Sequence, residues 1–393
     1  MLGGAVVRRH KYQWLIGALI ILVAFAVGAA IYKTQRPQTT TTVSPTTIKT
    51  HYQTWQRTYL KGTRTQRYVQ TTSTGTVQTL SEAQGYGMLI TVLAAKQGFA
   101  NQKTFDQLTR YYLAHRISRT NPLMAWRQTQ RGGQMVSTAA EKTSATDGDL
   151  DIAYALILAD EHWHSHGDLN YGQLAKQLIR AIKRQEINAV TQLPKVGNWA
   201  TAAKTRNLVR PSDLITAYFR KFASYTGDGS WTRVAQHSQT TLQALSRQHA
   251  TGLMADFVTV SGPSRRLGTV RAQQVASVHD DQYGFNACRI PWRVAYDYQL
   301  SQSQISRQVV QKMLRFFAKQ SQIKAGYTLT GKPTEKYANQ AFSAPVAYAA
   351  QVVGDQALSR QATKTLTTTL PAKDYYPATL QTLMLLQSGS LEK

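Results

Sequence analysis

The chain has 393 residues, 42% of them hydrophobic and 17% charged, a balance that excludes a disordered polypeptide and allows a sizeable core. Its 46 Lys and Arg outnumber 20 Asp and Glu, for a net charge of +26, which favours anionic surroundings without naming an activity. No zinc-finger spacing and no dense basic-aromatic motif accompanies that charge, so nucleic acid is not the expected partner; the single cysteine, Cys288, excludes an intramolecular disulfide and reads as a small buried hydrophobe.

In chain order, residues 1–13 form a basic tail with Arg8, Arg9 and Lys11. Residues 14–32, "WLIGALIILVAFAVGAAIY", are uncharged, long enough to cross a bilayer, and flanked by Trp14 and Tyr32. A signal anchor is the expectation, with the basic tail cytoplasmic and the remainder outside the cell. Cleavage after the small residues Gly28–Ala30 would instead give a secreted protein. Residues 33–50 are Thr- and Pro-rich and read as a tether, which places the folded domain at 51–393.

From there apolar residues recur at intervals of three and four, as in Tyr171, Leu174, Ala175, Leu178, Ala181 and Ile182. The spacing predicts helices over 81–97, 103–116, 149–163, 170–185, 212–225, 231–248, 292–301, 304–319, 340–353, 356–369 and 375–387. Short strands are expected around 253–260 and 268–279. With no close internal repeat, successive helices predict an all-α barrel or an irregular helical domain.

Three helix starts carry acids. In "LSEAQGYGML", Ser81 and Gln84 fit a capping box and Glu82 suits the first turn, yet Gly85 and Gly87 weaken a helix and need a packing or ligand reason. Tyr86 lies between them. In "SATDGDLDIAYALILAD", Thr146 and Asp149 fit a second capping box, with a helix starting near Asp149 and Asp147 just before it. A D-x-D-x-D run also suits calcium, but the Gly and distal Glu of the EF-hand loop are missing, so no metal is expected. In "VHDDQYGFNACRIPWR", Asp280 and Asp281 precede Asn286 and Arg289, a residue suited to clamping a carboxylate. Trp126 and Trp199 stand beside polar residues, as core packing or as platforms for pyranose rings. Asp213, Tyr218 and Phe219 share a similar stretch, "RPSDLITAYFRKF".

Together these segments resemble glycoside hydrolase family 8. "SEAQGYGM" is similar to that family's S-E-x-x-G-Y-G-M, and residues 145–163 to its signature A-[ST]-D-[AG]-D-x-x-I-A-x-A-L. "NACRIPWR" is similar to its [DN]-A-x-R-x-P-W-R, and "FSAP" at 342–345 to its last helical region. The resemblance implies an (α/α)6 barrel of helical hairpins, preceded here by the single transmembrane helix. It also implies inverting hydrolysis within a β-1,4-linked chain, without a cofactor. Inversion needs one carboxyl group to protonate the leaving oxygen and another to activate water on the opposite face. By the resemblance, Glu82 is the general acid and Asp147 holds and distorts the sugar at the cleavage point. Tyr86, Trp126, Trp199, Asn286 and Arg289 are the expected substrate contacts.

One departure bears on the base. Many members have aspartate where this chain has Asn286, and an amide cannot accept water's proton as a carboxylate does. A chitosanase-containing branch of the family also has asparagine there and takes its base from a preceding loop. The resemblance then points to Asp281, ahead of Asp280. The expected substrate is a polysaccharide, a neutral glucan rather than chitosan, because the +26 chain repels a protonated amino sugar. An anionic cell-wall polymer is a second expected partner. The alternative is a glycan-binding protein on the same fold that has lost hydrolysis.

Overall fold

The computed structural model describes residues 43–164 and 168–391. The described chain opens with α1 (Pro45–Tyr59), which finds its packing partner at the far end of the sequence. Five hairpins follow: α2 (Ser81–Lys96) with α3 (Gln102–Ala114), α4 (Thr146–Trp163) with α5 (Tyr171–Gln185), α6 (Thr216–Thr226) with α7 (Ser230–Gln248), α8 (Ile290–Ser301) with α9 (Gln304–Phe317), and α10 (Gln340–Val353) with α11 (Gln356–Leu366). The last helix, α12 (Tyr375–Ser388), packs on α1 and completes the sixth pair. The even-numbered helices touch in sequence, α2 to α4, α6, α8, α10 and α12, and α12 returns to α2. That closure makes an inner ring of six helices wrapped by an outer six, the (α/α)6 barrel.

Position in the ring explains composition. Inner α2 and α4 are buried on nearly every side: in α2 only Glu82 and Lys96 escape, and α4 is buried from Thr146 to Ala159. Outer α5 buries one stripe, Tyr171, Ala175, Leu178, Ile179 and Ile182, and turns its Lys and Arg outward, as a helix between core and water must.

Small antiparallel sheets occupy the loops. β1 (Leu60–Gly62) pairs with β2 (Arg67–Val69), Leu60 facing Val69. β3 (Gln78–Leu80) and β5 (Gln134–Val136) flank β4 (Arg127–Arg131), with Leu80 facing Arg127. β6 (Leu208–Val209) and β8 (Arg266–Gly268) flank β7 (Val258–Ser261). β3 runs directly into α2, and β6 into a 3₁₀ turn at Pro211–Asp213, so these sheets fix the entry angles of two acids. Strands were expected only near 253–260 and 268–279; β7 overlaps the first, but the second holds only Gly268, the last residue of β8, and is otherwise loop. The other strands are two to five residues long, too short to display an alternating pattern.

Three further expectations change. The Thr/Pro-rich segment is not a tether throughout: Ser44 accepts the Thr47 N–H, Pro45 occupies the first turn, and α1 begins there rather than at His51. α4 begins at Thr146, so Asp147 lies in its first turn and not before it. Neither capping box forms. Leu80 and Ala145 are the N-caps, without side-chain bonds, and Gln84 donates instead to the carbonyls of Arg67 and Leu108. No described helix is long and apolar enough to cross a membrane; the segment Trp14–Tyr32 lies outside the described residues.

Candidate active site

The two glycine-bearing helix starts meet face to face. A Cβ on Gly148 would stand 2.4 Å from Ser81 Oγ and 2.8 Å from the Glu82 nitrogen; one on Gly85 would stand 2.7 Å from Asp151 Cβ and 3.1 Å from the Gly148 oxygen. Packing is therefore the reason for both glycines. The close crossing of α2 on α4 brings Glu82 and Asp147 onto one guanidinium.

That guanidinium is Arg289, buried at the turn before α8. Its Nη1 lies 2.8 Å from Asp147 Oδ2, 3.1 Å from Glu82 Oε2 and 3.3 Å from the Tyr86 hydroxyl. Its Nη2 donates to Ser212 Oγ (3.1 Å) and Asn286 Oδ1 (3.2 Å), and its Nε to the Asn286 carbonyl (3.2 Å). Nη1 has two protons for three acceptors, and the shortest contact goes to Asp147.

The unequal sharing sets the two acids apart. Burial raises Asp147's pKa, but Arg210 and Arg289 outweigh it and hold the carboxyl well below the usual range. For Glu82 burial dominates, Arg289 opposes it and Asp147 adds to it, and the result is about 7. About 17% of the Glu82 side chain is exposed, and the Tyr375 hydroxyl lies 3.4 Å from its Oε1. A partly exposed carboxyl with a raised pKa beside one held low is an arrangement suited to general-acid chemistry.

The aspartates of the signature diverge. Asp147 faces Arg289 and Arg210. Asp149 accepts the Met124 N–H, and the Glu186 charge acts on it. Asp151 binds Arg293 and the Tyr218 hydroxyl. They serve three neighbours and do not converge on one ligand.

Asn286 is fixed at both ends of its amide, Oδ1 to Arg289 and Nδ2 to Asp256 (3.3 Å). Asp280 is buried and accepts the N–H groups of Val275, Ala276 and Ser277, which makes it the anchor of its own loop. Asp281 lines a cavity of about 350 Å³ with Leu253, Val258, Thr269 and Leu329, and none of the groups around Glu82 lines that cavity. Trp126 is half-buried beside the start of α2, its carbonyl accepting the Ser81 N–H. Trp199 is 42% exposed on a loop pinned to Ser144, just before α4, by paired bonds with Asn198. Cys288 is buried, burial pushes its thiol pKa up, and it donates to the Phe285 carbonyl, as a structural cysteine does.

Several site residues had no role in the sequence reading. Arg210 Nη1 lies 2.8 Å from Asp147 Oδ2 and 3.3 Å from Asp213 Oδ2. Ser212, Asp213 and Tyr375 join the same cluster. Phe285 presents an exposed ring next to Asn286, set against Phe342 and Tyr376. "RPSD" does place Arg210 three residues before Asp213, a spacing at which opposite charges meet, but nothing in it points to Asp147.

A closed helical double ring with two carboxyls of opposite pKa shift at one end of its inner helices suits a carbohydrate-cleaving enzyme. The chain belongs to the glycosyl hydrolases family 8, which it matches over residues 10–390, and it is a glycoside hydrolase. It is 36% identical over 306 residues to a beta-glucanase of Niallia circulans, covering 76% of this chain and 73% of that one. With Endoglucanase A of Acetivibrio thermocellus it shares 30% over 350 residues, 86% of this chain and 68% of the relative. Its fold superposes on the apo structure of a beta-1,3-1,4-glucanase from Paenibacillus sp. X4 with a TM-score of 0.79 and 31% identity, covering 88% and 93% of the two chains.

Proposed function

We propose that the protein is an inverting endo-hydrolase of β-glucan, with Glu82 as general acid. The observation that carries this is the unequal pair on Arg289: Glu82 keeps its proton up to about pH 7 while Asp147 stays ionised. Glu82 protonates the glycosidic oxygen as it leaves. Asp147 holds the sugar ring at the cleavage point, and its negative charge keeps the Glu82 proton in place. Trp126 and Trp199 offer faces for neighbouring sugars on the loops flanking α4. Substrate choice rests on the relatives' names and on charge: a +26 chain favours a neutral glucan over protonated chitosan.

The test measures reducing ends released from mixed-linkage β-glucan, carboxymethylcellulose and chitosan, with the first product anomer followed by NMR. Release from a β-glucan with an α-anomer formed first is the expected result, and Glu82→Gln abolishes it. Tight oligosaccharide binding without turnover by the wild type would instead make this a glycan-binding protein.

The sequence of Trp14–Tyr32 supports anchoring at the outer face of the cell membrane. Activity that stays in the membrane pellet after an alkaline wash is expected; activity in the soluble fraction of intact, unprocessed protein would refute it.

A further inference from the structure

Position 286 holds an amide whose two ends are both engaged, so the carboxylate that activates water lies elsewhere. The acids near Glu82 narrow quickly. Asp256 accepts four donors, the N–H groups of Gly284, Asn286 and Ala287 and the Asn286 amide. Asp280 is saturated by its loop and Asp151 by Arg293 and Tyr218, while Asp149 accepts the Met124 N–H and is engaged electrostatically with Glu186. Asp281 Oδ1 is buried without a partner, but Asp281 lines the separate cavity with Leu253 and Leu329. Asp213 shares Arg210 with Asp147: its side chain is buried, Oδ2 meets Arg210, and Oδ1 too has no hydrogen-bond partner in the protein. A buried carboxylate oxygen in that position takes a donor such as water.

Its placement suits the task. Glu82, Arg289, Asp147, Arg210 and Asp213 form a row of alternating charge, with successive contacts of 3.1, 2.8, 2.8 and 3.3 Å. Asp147 is the middle of the row, and Glu82 and Asp213 stand on its two sides. Four links through single atoms, none above 3.3 Å, hold the outer carboxyl oxygens within about 12 Å of each other, a reach that includes the roughly 6.5–9.5 Å an inverting pair needs to admit water. The Ser212 bond to Arg289 locks the 3₁₀ turn carrying Asp213 against the guanidinium that holds Glu82.

We propose that Asp213 is the general base, a role that rests on Glu82 acting as the acid. Oδ1 accepts a proton from water, whose oxygen lone pair forms the new bond to the anomeric carbon. The glycosidic carbon–oxygen bond breaks, its electron pair stays on the leaving oxygen, and Glu82 supplies that oxygen's proton. Water is the only co-reactant. Burial sets the protonation of Asp213: it raises the pKa to about 6 against Arg210, with Asp147 adding and Arg289 and Arg293 opposing. Glu186, at the end of α5, is close enough to Asp213 for their charges to act on each other.

The experiment uses the full chain with Asp213→Asn, Asp281→Asn and Glu82→Gln, assayed on mixed-linkage β-glucan with and without sodium azide. Asp213→Asn is expected to lose about 10²–10⁴-fold in kcat. Azide, which needs no base, should restore turnover and yield an α-glycosyl azide, a product that a merely structural role cannot give. Asp281→Asn should fall less than about tenfold. An Asp213→Asn enzyme of near-wild-type rate, or azide rescue of Asp281→Asn instead, overturns the assignment while leaving Glu82 intact. An inactive wild type overturns the glycosidase reading itself. Should Asp213→Asn fail to fold, the wild-type profile decides: kcat/KM must fall below about pH 6 as Asp213 protonates, and a limb near pH 4 is against it.

Discussion

At the scale of single residues, the site works by giving one guanidinium too many acceptors. Arg289 lies nearer to Asp147, and Glu82, left with less of the positive charge, has its pKa raised. In its proposed role as general acid Glu82 must be protonated, so activity is expected to fall as pH rises through about 7. Glu82→Gln should remove about 10²–10⁴-fold of kcat and, in any residual activity, the basic limb of kcat/KM with it. Asp147→Asn is a sharper test. It removes the like charge that raises Glu82 and frees Arg289 to turn to it, so the basic limb of the variant should move to lower pH. It also leaves buried Arg289 and half-buried Arg210 without their shared anion, at a cost of about 3–5 kcal/mol, visible as a lower midpoint in urea. An unmoved limb would mean that Asp147 does not tune Glu82.

Among the elements, α2 and α4 carry the site because their glycines let them touch. Gly148→Ala would force a methyl against Ser81 Oγ and the Glu82 nitrogen. We expect about 1–3 kcal/mol of destabilisation and a larger loss of activity than of stability, because the atom displaced belongs to the acid's own backbone. Unfolding midpoints and kcat on one preparation check both. Here the sequence was readable in part. Glu82, Asp147 and Arg289 stand in motifs, and the 3.6-residue pattern marks every helix from α2 onward. The pattern missed α1, whose Thr-rich start hid the Ser44–Pro45 signal, and it read capping boxes where Ser81 and Gln84 face neighbouring helices. Arg210 and Asp213 were illegible because their meaning is a contact between segments some sixty residues apart, with no periodicity to announce it. The α4–α5 contact makes a further prediction. Burial, foremost, raises Asp149 well above its ordinary value and Glu186 to about 7. Through Glu186 the folded chain therefore holds more protons than the unfolded chain between about pH 4.5 and 7, and this contribution to stability falls as pH rises across that window, then levels. Glu186→Gln cannot lose that proton. Its Tm relative to the wild type should rise from pH 5 to pH 8; a difference that stays constant or falls would mean that folding does not raise the Glu186 pKa.

For the whole molecule, burial and net charge act together. Nine acids are buried among the described residues, against only two basic side chains, Arg289 and Arg293. The barrel draws its anions inward, to the catalytic row and the contacts that support it, and leaves its cations facing solvent. The surface is thus more positive than the net +26 of the sequence. A neutral glucan feels little of this field, since the guanidiniums of the cleft are already paired with Asp147 and Glu82. An anionic wall polymer feels all of it. The two ligands should then separate by salt. Retention on a polyanionic polymer should collapse between about 0.1 and 1 M NaCl, as the screening length shrinks from about 10 to about 3 Å. Initial rates on neutral β-glucan should change by less than about twofold over that range, because close, buried pairs are screened far less than exposed charges. Co-sedimentation with the polymer and reducing-end assays on the same samples measure both. A rate that falls in step with retention would mean that the substrate itself is held by exposed cations, and that the neutral-glucan preference is wrong.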